Sequence, residues 1–129
     1  MSIALLIGRI IVGLYYINSG LHHFRALNTM AGYAGSKGVP APKLAIAGSG
    51  LLLIIGGLSL GLGYNPIIGI AAVCLFMIGV TPVMHNFWTV TDPQHRMTEM
   101  INFTKNLALL GSTLMFLAIP QPWPYSLGH

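Results

Sequence analysis

Four apolar runs, over residues 3–24, 44–62, 66–87 and 100–119, constrain this chain more than anything else in it. Each is close to the roughly 20 residues an apolar helix needs to cross a bilayer core. The polar residues between them leave little for a solvated surface. Only 6% of the 129 residues are charged, 54% are hydrophobic and the mean hydropathy is +0.74. A soluble domain carries about 25% charged residues. The expected fold is therefore all-α: one integral-membrane domain over residues 1–129, a four-helix up-down bundle.

The first run is the least ordinary of the four. It carries Arg9 near one end and His22 and His23 at the other. On a helix, Arg9, Gly13, Tyr16, Gly20 and His23 fall on one stripe, with steps of four and three. Tyr15, Asn18 and His22 form the neighbouring stripe. Lipid penalises exposed polar groups, so this combined face is expected to look into the bundle. Buried, Arg9 costs about 2.5 to 3.5 kcal/mol on insertion scales and needs a partner. No acidic side chain lies near that end. Backbone carbonyls, Tyr64, Asn65 or a carboxylate of another subunit are the candidates.

The remaining elements follow from punctuation. Pro42 suits a helix start, and Gly63-Tyr64-Asn65-Pro66 reads as a tight turn. The first loop, 25–43, has room for a short interfacial helix with Leu27, Met30 and Ala34 toward lipid. Trp88, Trp123 and Tyr125 suit the interfacial aromatic belt. Gly57 and Gly61 form a small-xxx-small pair, best read as close helix packing. The second run is then the central packing element. The N-terminus lacks the basic start of a signal peptide and reads as a retained helix.

The net charge of +4 comes from six Lys and Arg against Asp92 and Glu99. These cations sit at helix ends, which fits membrane lipid headgroups and topology and excludes nucleic acid as a partner. Their bias places loops 25–43 and 88–99 in the cytoplasm. Cys74 is the single cysteine, so no internal disulfide forms. No nucleotide loop, nucleophile elbow or His-Glu-x-x-His motif is present, which disfavours a stand-alone enzyme.

An up-down bundle would gather His22, His23, Arg25, Lys43, His85, Asn86, Asn102, Lys105 and Asn106 at one membrane face. This is the candidate site. In one reading these groups bind lipid phosphate and cap helices. In another, His23 or His85 donates to a quinone carbonyl, with Tyr16 and Trp88 lining the pocket and Asn106 or Lys105 beside it. Ligation of haem or a metal by the two histidines has no further support. Asp92 and Glu99 read as loop or boundary residues, leaving the site without a membrane carboxylate.

Several segments together resemble the DoxX family. They are Arg9 with Gly13, then Ser19-Gly20-Leu21-His22-His23-Phe24, Gly38-Val39-Pro40, the glycine-rich 55–63, His85-Asn86-Phe87-Trp88 and 105–111. The resemblance implies a four-helix membrane protein of a bacterial or archaeal inner membrane. Some relatives are small subunits of a thiosulfate:quinone oxidoreductase, and others belong to membrane redox assemblies. Many carry a glutamate in the second helix, where this chain has Leu51, Leu52 and Leu53. The expected role is an accessory subunit of a membrane redox or energy-converting complex, joined to other membrane-protein subunits. A quinone-reactive subunit of the thiosulfate:quinone type is the alternative. A small-solute or lipid transporter is a third class, disfavoured because no inverted repeat or broken helix is visible.

Overall fold

A computed structural model describes residues 2–126, and among them every regular element is helical. Five α-helices follow in order: α1 Ser2–Arg25, α2 Leu27–Ser36, α3 Pro42–Leu62, α4 Pro66–Met84 and α5 Pro93–Met115. Short 3-10 turns cover Phe87–Thr89 and Phe116–Ala118. Three helical stretches are long and apolar enough to cross a membrane: Ser2–Arg25, Pro42–Leu62 and Pro66–Thr89. The helix matching the fourth run differs from expectation. It starts at Pro93 instead of 100 and ends at Met115 instead of 119. Asp92 caps it by accepting from the His95 backbone N–H at 2.9 Å, and Pro93 fits its first turn. This cap pulls the polar stretch before residue 100 into the helix and lowers its hydropathy.

Helix α3 is the packing centre. Its most extensive contact is with α1, followed by α4 and α2. The α1–α3 seam is antiparallel and runs backbone to backbone. A Cβ on Gly13 would meet the Gly57 carbonyl oxygen at 2.7 Å, and one on Gly20 would meet that of Gly50 at 2.6 Å. Gly57 is as tight from its own side, 2.6 Å from the Gly13 oxygen. Glycine is required there because helices associate in lipid through close approach. Both members of the expected Gly57–Gly61 pair face Gly13, whose Cβ would also meet Gly61 Cα at 2.9 Å. A Cβ on Gly61 itself would sit in ordinary contact, 3.7 Å from Gly13 Cα, and Gly50 extends the seam at the level of Gly20.

The α3–α4 hairpin turns through Gly63 at φ 69° and Asn65 at φ 46°. Gly63 tolerates that left-handed backbone without strain. Ser59 stitches the turn, its hydroxyl lying 2.7 Å from the Tyr64 carbonyl oxygen and 2.9 Å from that of Asn65. Tyr16, Leu53, Leu60, Val73, Phe76 and Met77 belong to the core below it.

Two further expectations are corrected. Helix α2 exists, but Ala31 and Ala34 are buried against Ile46, with Leu27 and Met30 packed on them. Its apolar stripe faces α3, because the Gly38 turn folds the loop back over the bundle instead of laying it along lipid. Trp123 does not join an interfacial belt. It is 2% exposed and belongs to the core cluster with Tyr16 and Leu60.

Candidate functional site

The buried residues of α1 are Arg9, Gly13, Tyr16, Gly20 and His23, the stripe read from the sequence. The neighbouring stripe is not buried. Tyr15 and His22 border an open cavity, and Asn18 accepts a hydrogen bond from Arg25 at 3.3 Å.

At the Arg9 end the charge is held by the chain itself. Nη1 donates to the Pro124 carbonyl at 2.6 Å and Nη2 to that of Tyr125 at 3.1 Å. The guanidinium lies 5.7 Å from the Trp123 ring centroid. Nε has no hydrogen-bond partner among the described residues. Of the expected candidates, backbone carbonyls serve, those of Pro124 and Tyr125 just after the fourth run. Tyr64 and Asn65 do not, and the expectation of a carboxylate from another subunit is corrected.

The opposite end opens into a cavity of about 880 Å³ between α1, α2, α3, α4 and α5. Tyr16, His23, His85, Lys105 and Asn106 all line it. Leu53, Phe76, Met77 and Val80 make an apolar wall facing them. Trp88 is the exception. It is absent from the lining and stacks edge-on against Phe87 and Phe103 at 5.4 and 5.6 Å. The polar residues that end α4 break the helix into a 3-10 turn and carry Trp88 away from the opening.

Hydrogen bonds fix the polar groups in place. The Tyr16 hydroxyl pairs with Thr113 Oγ1 at 3.0 Å, and Asn106 Nδ2 donates to Thr81 Oγ1 at 3.1 Å. His23 Nδ1 lies 2.8 Å from the Ser19 carbonyl oxygen. A carbonyl only accepts, so Nδ1 carries the proton and the neutral ring keeps Nε2 as an acceptor. His85 repeats this pattern against a carboxylate, its Nδ1 lying 3.3 Å from Glu99 Oε2. Donation from a neutral His23 to a quinone carbonyl is thereby corrected. The two rings offer acceptors, which suit a hydroxyl.

Glu99 is the residue that sequence reasoning missed. It is 5% exposed and sits in the polar first turns of α5, not in a loop. Tyr33 donates to its Oε2 at 2.8 Å and Asn102 to its Oε1 at 3.1 Å. Burial alone raises a carboxyl's pKa, but here the bonds from Tyr33 and Asn102 and the His85 ring outweigh it and hold Glu99 below its ordinary value. Burial, then the bond to Glu99, pushes Tyr33 up to about 12. A signal was present: Glu99, Asn106 and Thr113 are the buried residues of α5 and recur at intervals of seven. Among the described residues no group of three or more His, Cys, Asp or Glu side chains is placed to hold a metal ion.

Long apolar helices with glycine-mediated contact and a polar-ended cavity define a helical membrane protein, one that contacts lipid. The DoxX family model matches residues 4–86, well over half of the chain. The chain belongs to the DoxX family. Neither the curated proteins nor the solved structures gave a match.

Proposed function

We propose that this chain is an integral subunit of a membrane redox or energy-converting assembly, and that its cavity takes a quinone headgroup. The cavity carries the reading. Its 880 Å³ lies in the range of about 300–1,000 Å³ usual for small-molecule sites, and its wall is apolar with a few convergent polar groups. Two histidine acceptors beside an apolar wall suit the ring hydroxyls of the reduced, quinol form and its isoprenoid tail. Membership in DoxX adds a family associated with membrane oxidoreductases.

In this reading α5 is the fourth crossing helix of an up-down bundle, and Glu99 lies at its headgroup boundary. The Lys and Arg bias puts loops 25–43 and 88–99 on the cytoplasmic side of a bacterial or archaeal inner membrane. Partner subunits would meet the lipid-facing apolar side chains. Arg9 gives no reason to invoke them, since Pro124 and Tyr125 satisfy it.

A second reading makes the chain a mainly structural accessory whose cavity holds a phospholipid. Lys37 and Lys105 on the cavity lining favour it, as ammonium groups suit a phosphate. One experiment separates the two. The protein is purified in mild detergent, and its bound lipids and quinones are extracted and quantified beside its co-purifying chains. Quinone at near-stoichiometric amount, lost in His23→Ala with assembly intact, is the expected result. Phospholipid alone in the wild type would sink the quinone reading.

A further inference from the structure

A file of side chains joins the cavity to the exposed surface. His85 borders the cavity, and its Nδ1 meets Glu99 Oε2 at 3.3 Å. The Tyr33 hydroxyl donates to that same oxygen at 2.8 Å and lies 3.4 Å from His95 Nε2. His95 is exposed, Tyr33 half-buried and Glu99 buried, so the file runs from water inward. It crosses three elements: α2 brings Tyr33, α5 brings His95 and Glu99, and the end of α4 brings His85.

We infer that His85, Glu99, Tyr33 and His95 form a proton relay between a hydroxyl-bearing ligand in the cavity and the water boundary. The inference rests on the quinone reading of the cavity. A purely structural anchor for Glu99 would need only donors such as Asn102. Here every consecutive group after the cavity is one that both takes and gives a proton: imidazole, carboxyl, phenol, imidazole. The contacts at both histidines are long, 3.3–3.4 Å, and in proton-transfer sites such contacts often tighten only once a ligand is bound.

The transfer balances without any redox partner. A ligand hydroxyl gives its proton to His85 Nε2 while the Nδ1 proton passes to the Glu99 carboxylate. Glu99 then protonates the Tyr33 oxygen as the phenol proton goes to His95 Nε2. The ligand ends as an anion and His95 as an imidazolium, while His85, Tyr33 and the Glu99 carboxylate regain their starting charges. Tyr33, held at about 12, serves as a neutral phenol throughout. The other charged groups facing this end are Lys37, bonded to Asn86 Oδ1, and Lys105. Both are cations, and they favour an anion in the cavity and a proton moved outward.

The test uses a 2-hydroxy-1,4-naphthoquinone carrying an alkyl tail, whose colour reports ionisation of its ring hydroxyl. Its affinity for the purified full chain is measured first. A stopped-flow pH jump then gives the rate at which the bound probe ionises. Tyr33→Phe is expected to keep the affinity and slow ionisation by roughly tenfold to a hundredfold. Glu99→Gln is expected to do the same, and His95→Ala serves where that variant does not assemble. Equal ionisation rates in the wild type and Tyr33→Phe, with the probe bound, would overturn the relay and leave the quinone reading standing. A probe that does not bind the wild type overturns both.

Discussion

The two ends of the bundle bury one charged side chain each and treat it differently. Arg9 is 0% exposed and meets two backbone carbonyls and an indole. None of those partners titrates or leaves room for a ligand. Glu99 meets a phenol, an amide and an imidazole, beside a cavity. Its phenol and imidazole neighbours are groups that can exchange protons. Desolvation of a charge is unfavourable at both ends, and the difference lies in what each arrangement permits. The first is a fastening, and the second is a place where chemistry can happen. The lesson extends to helical membrane proteins generally. A buried charge marks function when its partners titrate and open space lies beside them, and marks architecture when they do not.

Breaking the fastening should have the largest effect. Arg9→Leu leaves the Pro124 and Tyr125 carbonyls without donors and frees the 120–126 segment, a loss of about 3 kcal/mol. Thiol labelling of Ser126→Cys in a Cys74→Ser background should become fast in Arg9→Leu and stay slow in Glu99→Gln. Equal labelling in the two would erase the contrast between the ends.

The seam that ties the ends together comes next. Gly57→Ala drives a methyl into the Gly13 carbonyl and should cost about 2 kcal/mol, seen as a lower detergent melting temperature. Gly61→Ala, four residues on, should melt within error of the wild type. A reversed order would move the seam.

Smaller effects should appear at the Glu99 end. Glu99→Gln replaces an anion that accepts from Tyr33 and His85 and should cost about 1 kcal/mol. Its diagnostic is pH dependence. Glu99 titrates below its ordinary 4.5 in the folded protein, so its contribution is full above 4.5 and lost as pH falls through the folded value. Tyr33 is raised from 10.0 to about 12, so its contribution is full below 10 and lost as pH rises through about 12. Wild-type stability should fall at both extremes. Glu99→Gln should flatten the acid limb, and Tyr33→Phe the alkaline one. An unchanged acid limb in Glu99→Gln would assign that limb to other groups.

The comparison also explains what could be read from the residues. The α1 stripe was legible because five special residues recur on one helical face in a run with few alternatives. His23 and His85 lie at helix ends that the packing brings together on the cavity, while Asn106 reaches it from the middle of α5, on the stripe of Glu99 and Thr113. Glu99 was lost because hydropathy placed its segment in a loop, while Asp92 and Pro93 started a helix earlier. That backbone carbonyls could hold Arg9 was legible, but which ones was not. Backbone carbonyls carry no side-chain signature, and the cluster Pro120, Pro122 and Pro124 read only as a stop. Trp88 missed the cavity and Trp123 missed the interface for a similar reason: an aromatic at a helix end suits an interface or a core equally well, and only the path of the following chain decides.

The Arg9 clasp has a consequence in time. Its acceptors lie 115 and 116 positions later in the chain. During synthesis α1 meets the bilayer while those residues have yet to be made, because domains are assembled from the N-terminal side onward. Arg9 must wait near the headgroups or in a hydrated translocation site, drawing α1 toward one leaflet. Arrival of Pro124 and Tyr125 lets the helix settle to its final depth beside α3. A nascent chain stalled before Pro124 should therefore hold α1 at a shallower position than the released protein, a shift that cysteine-accessibility mapping along α1 would register.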